Sequence, residues 1–464
     1  MKNHIKFTQT FYKIKNWVLH FTLTSMVNFI NIAVNRNFRR PETYYARYLV
    51  GLNLLPKIGD NHFEWYANWN KTDRMFNKGE YHNAVKIRKE IMYEIYKKNG
   101  ITDCDYFPPI LSKCFSGPIG HNRDIGIHIA AQNLGLLPTG QRYLQVPKKD
   151  LNKPFHLSIK DNIKLLSFSD LYSDDEPPGW WHIYERMQLI KTRDGFMDHY
   201  ELMEKVYIQS AMNPEKSILK LNSDYAYKSM IELRNYGLNE SDWFVSLHVR
   251  ETGNQEELNN QSIYTYIKSI EYIINLGGKV IRIGDSSMPS LPHIKGLIDL
   301  SQNSSNSSHL HLYALAAAKF FIGTQSGPKA IPSLFNIPSL ITNSTMLGLE
   351  TLRCSEETIY LPKKTFLNGR LLSFVDIINS PIGYASFNPK DIKEAMIFFE
   401  SNSSDQILNG VKEMVDIVLN NSPLRNLNLD NKVNEAREQV RFATTGFFST
   451  QWLEESQGWF LANT

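Results

Sequence analysis

The sequence predicts an α/β protein of two lobes, each built on an open parallel sheet, with a helical extension in front. Three segments carry that expectation. Residues 243–250 read Trp-Phe-Val-Ser-Leu-His-Val-Arg, a short apolar run that delivers His248 and Arg250 at its carboxyl end. A second strand-like run, 279–283, ends in Gly284-Asp285, and a third, 319–323, ends in Thr324-Gln325-Ser326-Gly327. Runs that stay apolar suit strands covered on both faces, and strand–helix alternation implies parallel strands with right-handed crossovers. Ligands of such sheets sit outside the carboxyl ends of the strands.

The second lobe is expected over 241–380. Its strands are placed at 243–249, 280–283, 320–322, 339–342 and near 358–361, its helices at 262–275, 309–318 and 328–335, and 302–308 reads as a polar surface loop. The first lobe is expected over 101–240. Strands are placed at 109–115, 143–146 and 163–168, a helix at 125–134 and a long helix at 196–209. Residues 41–100 read as a helical hairpin of tetratricopeptide-like pattern, and 381–464 as a mostly helical segment packing back on the lobes. Residues 1–40 form a basic leader: 16–35 holds no Asp, Glu, Lys or Arg, and lysines and arginines flank it. Asn28, Asn31 and His20 make a membrane span costly, so a helix lying on the cytoplasmic face of a membrane fits better.

At 464 residues the chain has room for two or three domains. A formal net charge of +4 is too slight to argue for nucleic acid. Cys104, Cys114 and Cys354 are odd in number and scattered, so they offer neither a disulfide framework nor metal-ligand spacing, and a reducing cytoplasm suits them.

The candidate site gathers at the strand tips. His248 and Arg250 lie two apart and share a face of their strand. A guanidinium presents five fixed donors and keeps its charge, which suits a diphosphate. Glu251 beside it reads either as a general base or as a group orienting Arg250. Thr324, Gln325, Ser326 and Gly327 offer hydroxyls and close backbone approach, and Pro328 suits the first position of a helix whose free N–H groups would seat a phosphate. Asp285 after Gly284 reads as an acceptor for a ribose hydroxyl or as a turn cap. In the first lobe, Gly117, Pro118, Gly120 and His121 form a loop ahead of a helix, expected to contact the acceptor or the donor sugar. No P-loop and no Gly-x-Gly-x-x-Gly fingerprint is present. Asp103-Cys-Asp105 lacks the apolar strand that a metal–diphosphate motif would follow, and His309-Leu-His311 has no companion ligands, so no metal site is expected.

The runs Ser246-Leu-His-Val-Arg-Glu, Val280-Ile-Arg-Ile-Gly-Asp-Ser-Ser-Met and Phe320-Phe-Ile-Gly-Thr-Gln-Ser-Gly, with the Gly-Pro-Ile-Gly-His loop, resemble a bacterial family of glycosyltransferases from surface-polysaccharide loci. That family is similar to the fucosyltransferases with a His-x-Arg motif. The resemblance covers about Ser116 to Thr345. It implies two Rossmann-like lobes in a GT-B-like arrangement and metal-independent, inverting sugar transfer without a cofactor. The donor would be a nucleoside-diphosphate sugar, GDP-linked in the fucosyltransferases, and the acceptor a glycan or a lipid-linked acceptor, with the basic leader holding the chain at the cytoplasmic membrane surface. Arg250 would contact the diphosphate and His248 the nucleotide, Asp285 would lie near the nucleoside, and residues 324–327 would hold the phosphates. Two rivals remain at this point: a non-catalytic scaffold of a polysaccharide assembly complex, and a sugar-nucleotide epimerase, which the missing dinucleotide fingerprint opposes.

Overall fold

The computed structural model describes residues 110–111, 119–137, 143–146, 153–167, 189–192, 195–198, 219–251, 260–345, 358–378, 392–393, 395–421 and 447–456, with single helical residues between 75 and 90 and between 202 and 210. The basic leader, the hairpin fold of 41–100, Gly117 and Pro118 lie outside the described residues. The chain divides into two compact units, Met1–Phe76 with Glu80–Cys104 and Asp174–Leu189, and Asn77–Gly79 with Asp105–Ser173 and Ile190–Thr464. The expected second lobe and all of the first except 101–104 and 174–189 fall in the second unit, which is the one described below.

Its centre is a seven-stranded sheet. Phe244–His248 (β6), Lys279–Arg282 (β7), Leu297–Asp299 (β8), Phe320–Thr324 (β9), Ser339–Ser344 (β10), Ile359–Pro362 (β11) and Phe447–Phe448 (β15) lie in the order β15-β11-β10-β9-β6-β7-β8. Every adjacent pair is parallel. Every residue of β6, β9 and β10 is buried, as a sheet covered on both faces requires. Because all strands run one way, the tips of β6, β7 and β9 meet at one edge, with β6 between the other two.

The first α/β segment carries its own three-stranded parallel sheet of Ile110–Leu111 (β1), Tyr143–Val146 (β2) and Lys164–Ser167 (β3). The helix after its glycine loop, Asn122–Asn133 (α1), buries Ile125 and Ile129 in the same hydrophobic core as the large sheet. Lys153–Ser158 (α2) and Ser223–Arg234 (α3) join that core through Phe155 and Leu233. Asn222 caps α3 by accepting from the Tyr225 N–H at 3.0 Å. Tyr225 then donates to the carbonyl of His309 at 2.8 Å, tying α3 to the second segment.

Within the second segment, Ile267–Asn275 (α4) follows a 3-10 turn at Ile263–Tyr266, and Ser304–Ala317 (α5) precedes β9. A short helix, Ala330–Leu334 (α6), follows β9. Ser404–Val418 (α8) begins with a capping box, Ser403 and Gln406 each bonding the other's backbone. Gly410 brings α8 tight onto the sheet, where an added Cβ would meet Leu361 at 2.6 Å.

Several expectations need correction. The span 302–308 is not a loop: a 3-10 turn at Ser301–Asn303 leads straight into α5. Its Ser and Asn residues have modest helix propensity, but Leu310, Leu312, Ala314 and Leu315 further along are buried and anchor the helix. The long helix expected from 196 does not begin there. Leu189–Thr192 (β4) and Gly195–Asp198 (β5) pair as strands, and Asp-Gly between two such runs is a hairpin signal in the sequence. Strands also occur at the end of the expected second lobe and within the mostly helical segment after 381. Lys364–Leu367 (β12), Arg370–Leu371 (β13) and Ile397–Glu400 (β14) form an antiparallel sheet beside the short helix Phe374–Ile378 (α7). The chain also returns as β15 to extend the main sheet, followed by Thr450–Glu455 (α9). Among the described residues no helix is long and apolar enough to cross a membrane.

Candidate functional site

The tips of β6 and β9 are tied by two hydrogen bonds. The Arg250 N–H donates to the Thr324 hydroxyl at 3.1 Å, and the Ser326 hydroxyl lies 2.9 Å from His248 Nδ1. Thr324 is fully buried, and the Arg250 carbonyl accepts from the Gln261 N–H at 2.8 Å, so the backbone of Arg250 is held from both sides. Gly323 is glycine for a steric reason. A Cβ there would stand 2.9 Å from the carbonyl oxygen of His248 on the neighbouring strand.

His248 is 6% exposed, and burial pushes its pKa down to about 4, helped by the charges of Arg250, His311 and Arg282 and opposed by Asp285. The ring is therefore neutral near pH 7. It can offer one N–H donor and one acceptor, with the Ser326 hydroxyl as partner on the Nδ1 side. Asp285 is exposed at the tip of β7. Its Oδ1 accepts from the Ser287 N–H at 2.9 Å and from the Ser287 hydroxyl, which together hold its pKa below the usual value against the opposing effect of burial. The same carboxylate feels His248 and Arg250. Asp285 thus serves as a turn cap, within electrostatic reach of the His248–Arg250 pair.

Glu251 has a structural task. Its Oε2 accepts from the Ile263 N–H at 2.8 Å and starts the 3-10 turn that leads into α4. Gln325 is 2% exposed, and its amide oxygen accepts from the Thr345 N–H at 2.6 Å and the Thr345 hydroxyl at 3.1 Å. It joins the tips of β9 and β10. Gly284 covers Met288, whose sulfur would be 2.3 Å from an added Cβ.

The phosphate seat expected at Pro328 is altered. Instead of one helix over 328–335, a 3-10 turn at Gly327–Lys329 is followed by the five-residue α6. So short a helix has little macrodipole, and Pro328 has no N–H to give, so positive charge at this edge rests on side chains. Gly327 does meet the glycine loop of the first segment. A Cβ on Gly120 would lie 3.1 Å from Gly327 Cα, and one on Gly327 would lie 3.2 Å from the Gly120 nitrogen. Gly120 and His121 form a 3-10 turn with Ile119. The two loops singled out from the sequence are thus brought into backbone contact.

Three residues escaped the sequence reading. Arg282, the last residue of β7, is 1% exposed. Asp299 at the end of β8 pairs with it at 2.8 Å. Lys363, just beyond β11 on the same sheet edge, is buried enough that its pKa is pushed down to about 8. Arg282 left a visible signal, a charge inside an apolar strand. Lys363 left none, because the turn that buries it is set by strands distant in sequence. No group of His, Cys, Asp or Glu among the described residues is arranged to hold a metal ion.

No family model matches the chain, and no curated protein is significantly similar to it. Among solved structures it is similar to a glycosyl transferase family 9 protein of Veillonella parvula, at 10% identity over 52% of this chain and 82% of that one, with a TM-score of 0.35. The E. coli ADP-heptose LPS heptosyltransferase II matches at 10% identity over 64% of this chain and 96% of that one, with a TM-score of 0.38. The dodecameric iron-containing glycosyltransferase TibC of enterotoxigenic E. coli matches at 12% identity over 64% and 74%, with a TM-score of 0.31. At scores this low the likenesses carry no weight for activity, which has to be read from the chain's own residues.

Proposed function

We propose that this chain is a glycosyltransferase that moves a sugar from a nucleoside-diphosphate donor, GDP-linked as in the fucosyltransferases, to a glycan or lipid-linked acceptor of a surface polysaccharide, working at the cytoplasmic face of the membrane. One observation carries the reading. Arg250 and His248 at the end of one strand are bound to the Thr324–Ser326 tip of a second, and Asp285 at the end of a third lies near enough to feel the charges of both.

A leaving nucleoside diphosphate gains negative charge as its bond to the sugar breaks. A guanidinium fixed in place before the reaction stabilises that charge more than it stabilises the bound donor, and this lowers the barrier. Arg250 takes this role. Neutral His248 donates to the nucleoside or a phosphate oxygen, and Asp285 accepts from the ribose. Glu251 is anchored through Oε2, which leaves Oε1 to take the proton of the acceptor hydroxyl. Gly120 and His121 come to the same edge from the first segment, on the side of the sugar and the acceptor.

Thermal unfolding of the full chain with GDP, UDP and ADP tests the reading, because a ligand that binds only the native state raises Tm. A rise with one of them, largely lost in Arg250→Ala, is expected. No rise with any of the three would point instead to a scaffold that binds no nucleotide.

A further inference from the structure

We propose that Arg282 is a positioning residue for the donor: its buried guanidinium holds the loop 285–289, and so sets where Asp285 stands. The inference rests on the glycosyltransferase reading of the same edge and adds a residue that the reading does not use.

The loop after β7 is tethered twice from below. Arg282 Nη2 donates to the Pro289 carbonyl at 2.7 Å, and Gln302 Nε2 donates to the Met288 carbonyl at 3.1 Å. The other arm of the guanidinium, Nη1, donates to Asp299 Oδ2 at 2.8 Å. Asp299 is itself held, its Oδ1 accepting from the Ser301 N–H at 3.0 Å and the Ser301 hydroxyl at 2.6 Å. Arg282 thus spans two strand tips, from β8 to the far end of the loop. The loop closes on itself above this strut. Met288 donates its N–H to the Asp285 carbonyl at 3.0 Å, and its side chain is plugged beneath Gly284.

A buried cation with one carboxylate partner is seldom the cheapest way to fill a core, since an apolar residue of similar volume often does as well. What an apolar residue cannot supply is a rigid fork with two donors in fixed directions. Here the two arms reach a carboxylate on one strand and a carbonyl on the loop, so the loop's height above the sheet is set by planar geometry. The charge of Arg282 also reaches His248 and helps keep that ring neutral. Lysine would keep the charge and lose the fork.

The test uses the full chain. In Arg282→Lys, amide exchange at Ser287 and Met288 should quicken by about tenfold while β6 and β9 exchange as before, and affinity for the nucleoside diphosphate that binds the wild type should fall by about tenfold. If Arg282 acts through Asp285, the double variant Arg282→Lys/Asp285→Ala should bind no worse than Asp285→Ala alone. Should Arg282→Lys fail to fold, Arg282→Met/Asp299→Asn removes the two buried charges together and gives the same readings. Wild-type exchange in the loop, or faster exchange with unchanged nucleotide affinity, or strictly additive losses, would each overturn the proposal. If the wild-type protein binds no nucleoside diphosphate, the glycosyltransferase reading falls by itself, and the exchange result still decides whether Arg282 holds the loop.

Discussion

The tip of β9 is held differently on its two sides. Toward β6 it is joined by side chains, the Thr324 hydroxyl to the Arg250 N–H and the Ser326 hydroxyl to His248. Toward the first α/β segment it is joined by the absence of side chains, Gly327 lying against Gly120. Hydrogen bonds are directional and respond to charge and protonation. A glycine contact is indifferent to charge and responds to volume alone. One edge of the molecule therefore has a chemically tunable seam beside a purely steric one, and substitutions should separate them.

The largest effect is expected on the tunable side. On the proposed function, Arg250→Ala should cut sugar transfer by about 10²–10³-fold through loss of the fixed charge opposite the leaving diphosphate, while the backbone N–H bond to Thr324 is kept and Tm falls far less than activity. Steady-state transfer assays and melting curves on the same preparation check both halves. Glu251→Gln makes the parallel case on one residue. Its amide oxygen still accepts from Ile263, so Tm should hold while turnover drops, and a variant that keeps full turnover would reduce Glu251 to a cap.

Acid should act on the tunable seam next. The pKa of His248 in the folded state lies below its ordinary value, so between about pH 6.5 and 4 the unfolded chain takes a proton that the folded chain refuses. Stability from this group is complete above pH 6.5 and falls as pH drops toward 4, by on the order of 3 kcal/mol. Urea melts across that range should show the slope in the wild type and a weaker one in His248→Gln.

Added volume should act alike at every pH: Gly323→Ala forces a methyl against the Phe321 ring and the His248 carbonyl and should destabilise by about 1–3 kcal/mol. Gly327→Ala, whose contacts are looser, should cost less. A pH-dependent penalty in either would mean that the seams are not independent. The smallest change is Ser326→Ala, which removes one hydroxyl from His248 and should cost about 1 kcal/mol, together with a shift in the acid limb of the stability profile.

Most of the main sheet could be read along the chain. The strands at β6, β7, β9, β10 and β11 follow from local apolar runs, and the polar tips that follow them are where chemistry gathers. β8 and β15 could not be read that way. Leu297–Asp299 is three residues long, and Phe447–Phe448 is two, so neither carries a period, and each is a strand only because a neighbour offers its edge. The antiparallel sheet of β12, β13 and β14 was hidden for the same reason.

Within the site, the identities of His248, Arg250, Asp285 and the 324–327 turn were legible because strand ends announce themselves. Their duties were not. Glu251 caps a turn that begins twelve residues later, and Gln325 spends its oxygen on Thr345. The sequence by itself determined which residue types stand at the ends of which strands, since apolar periodicity is a local property of the chain. Only the tertiary structure decided which tips touch, which carboxylate is already spoken for, and which cation is buried beneath the loop, because those depend on strand order, and strand order is set by packing between segments tens of residues apart.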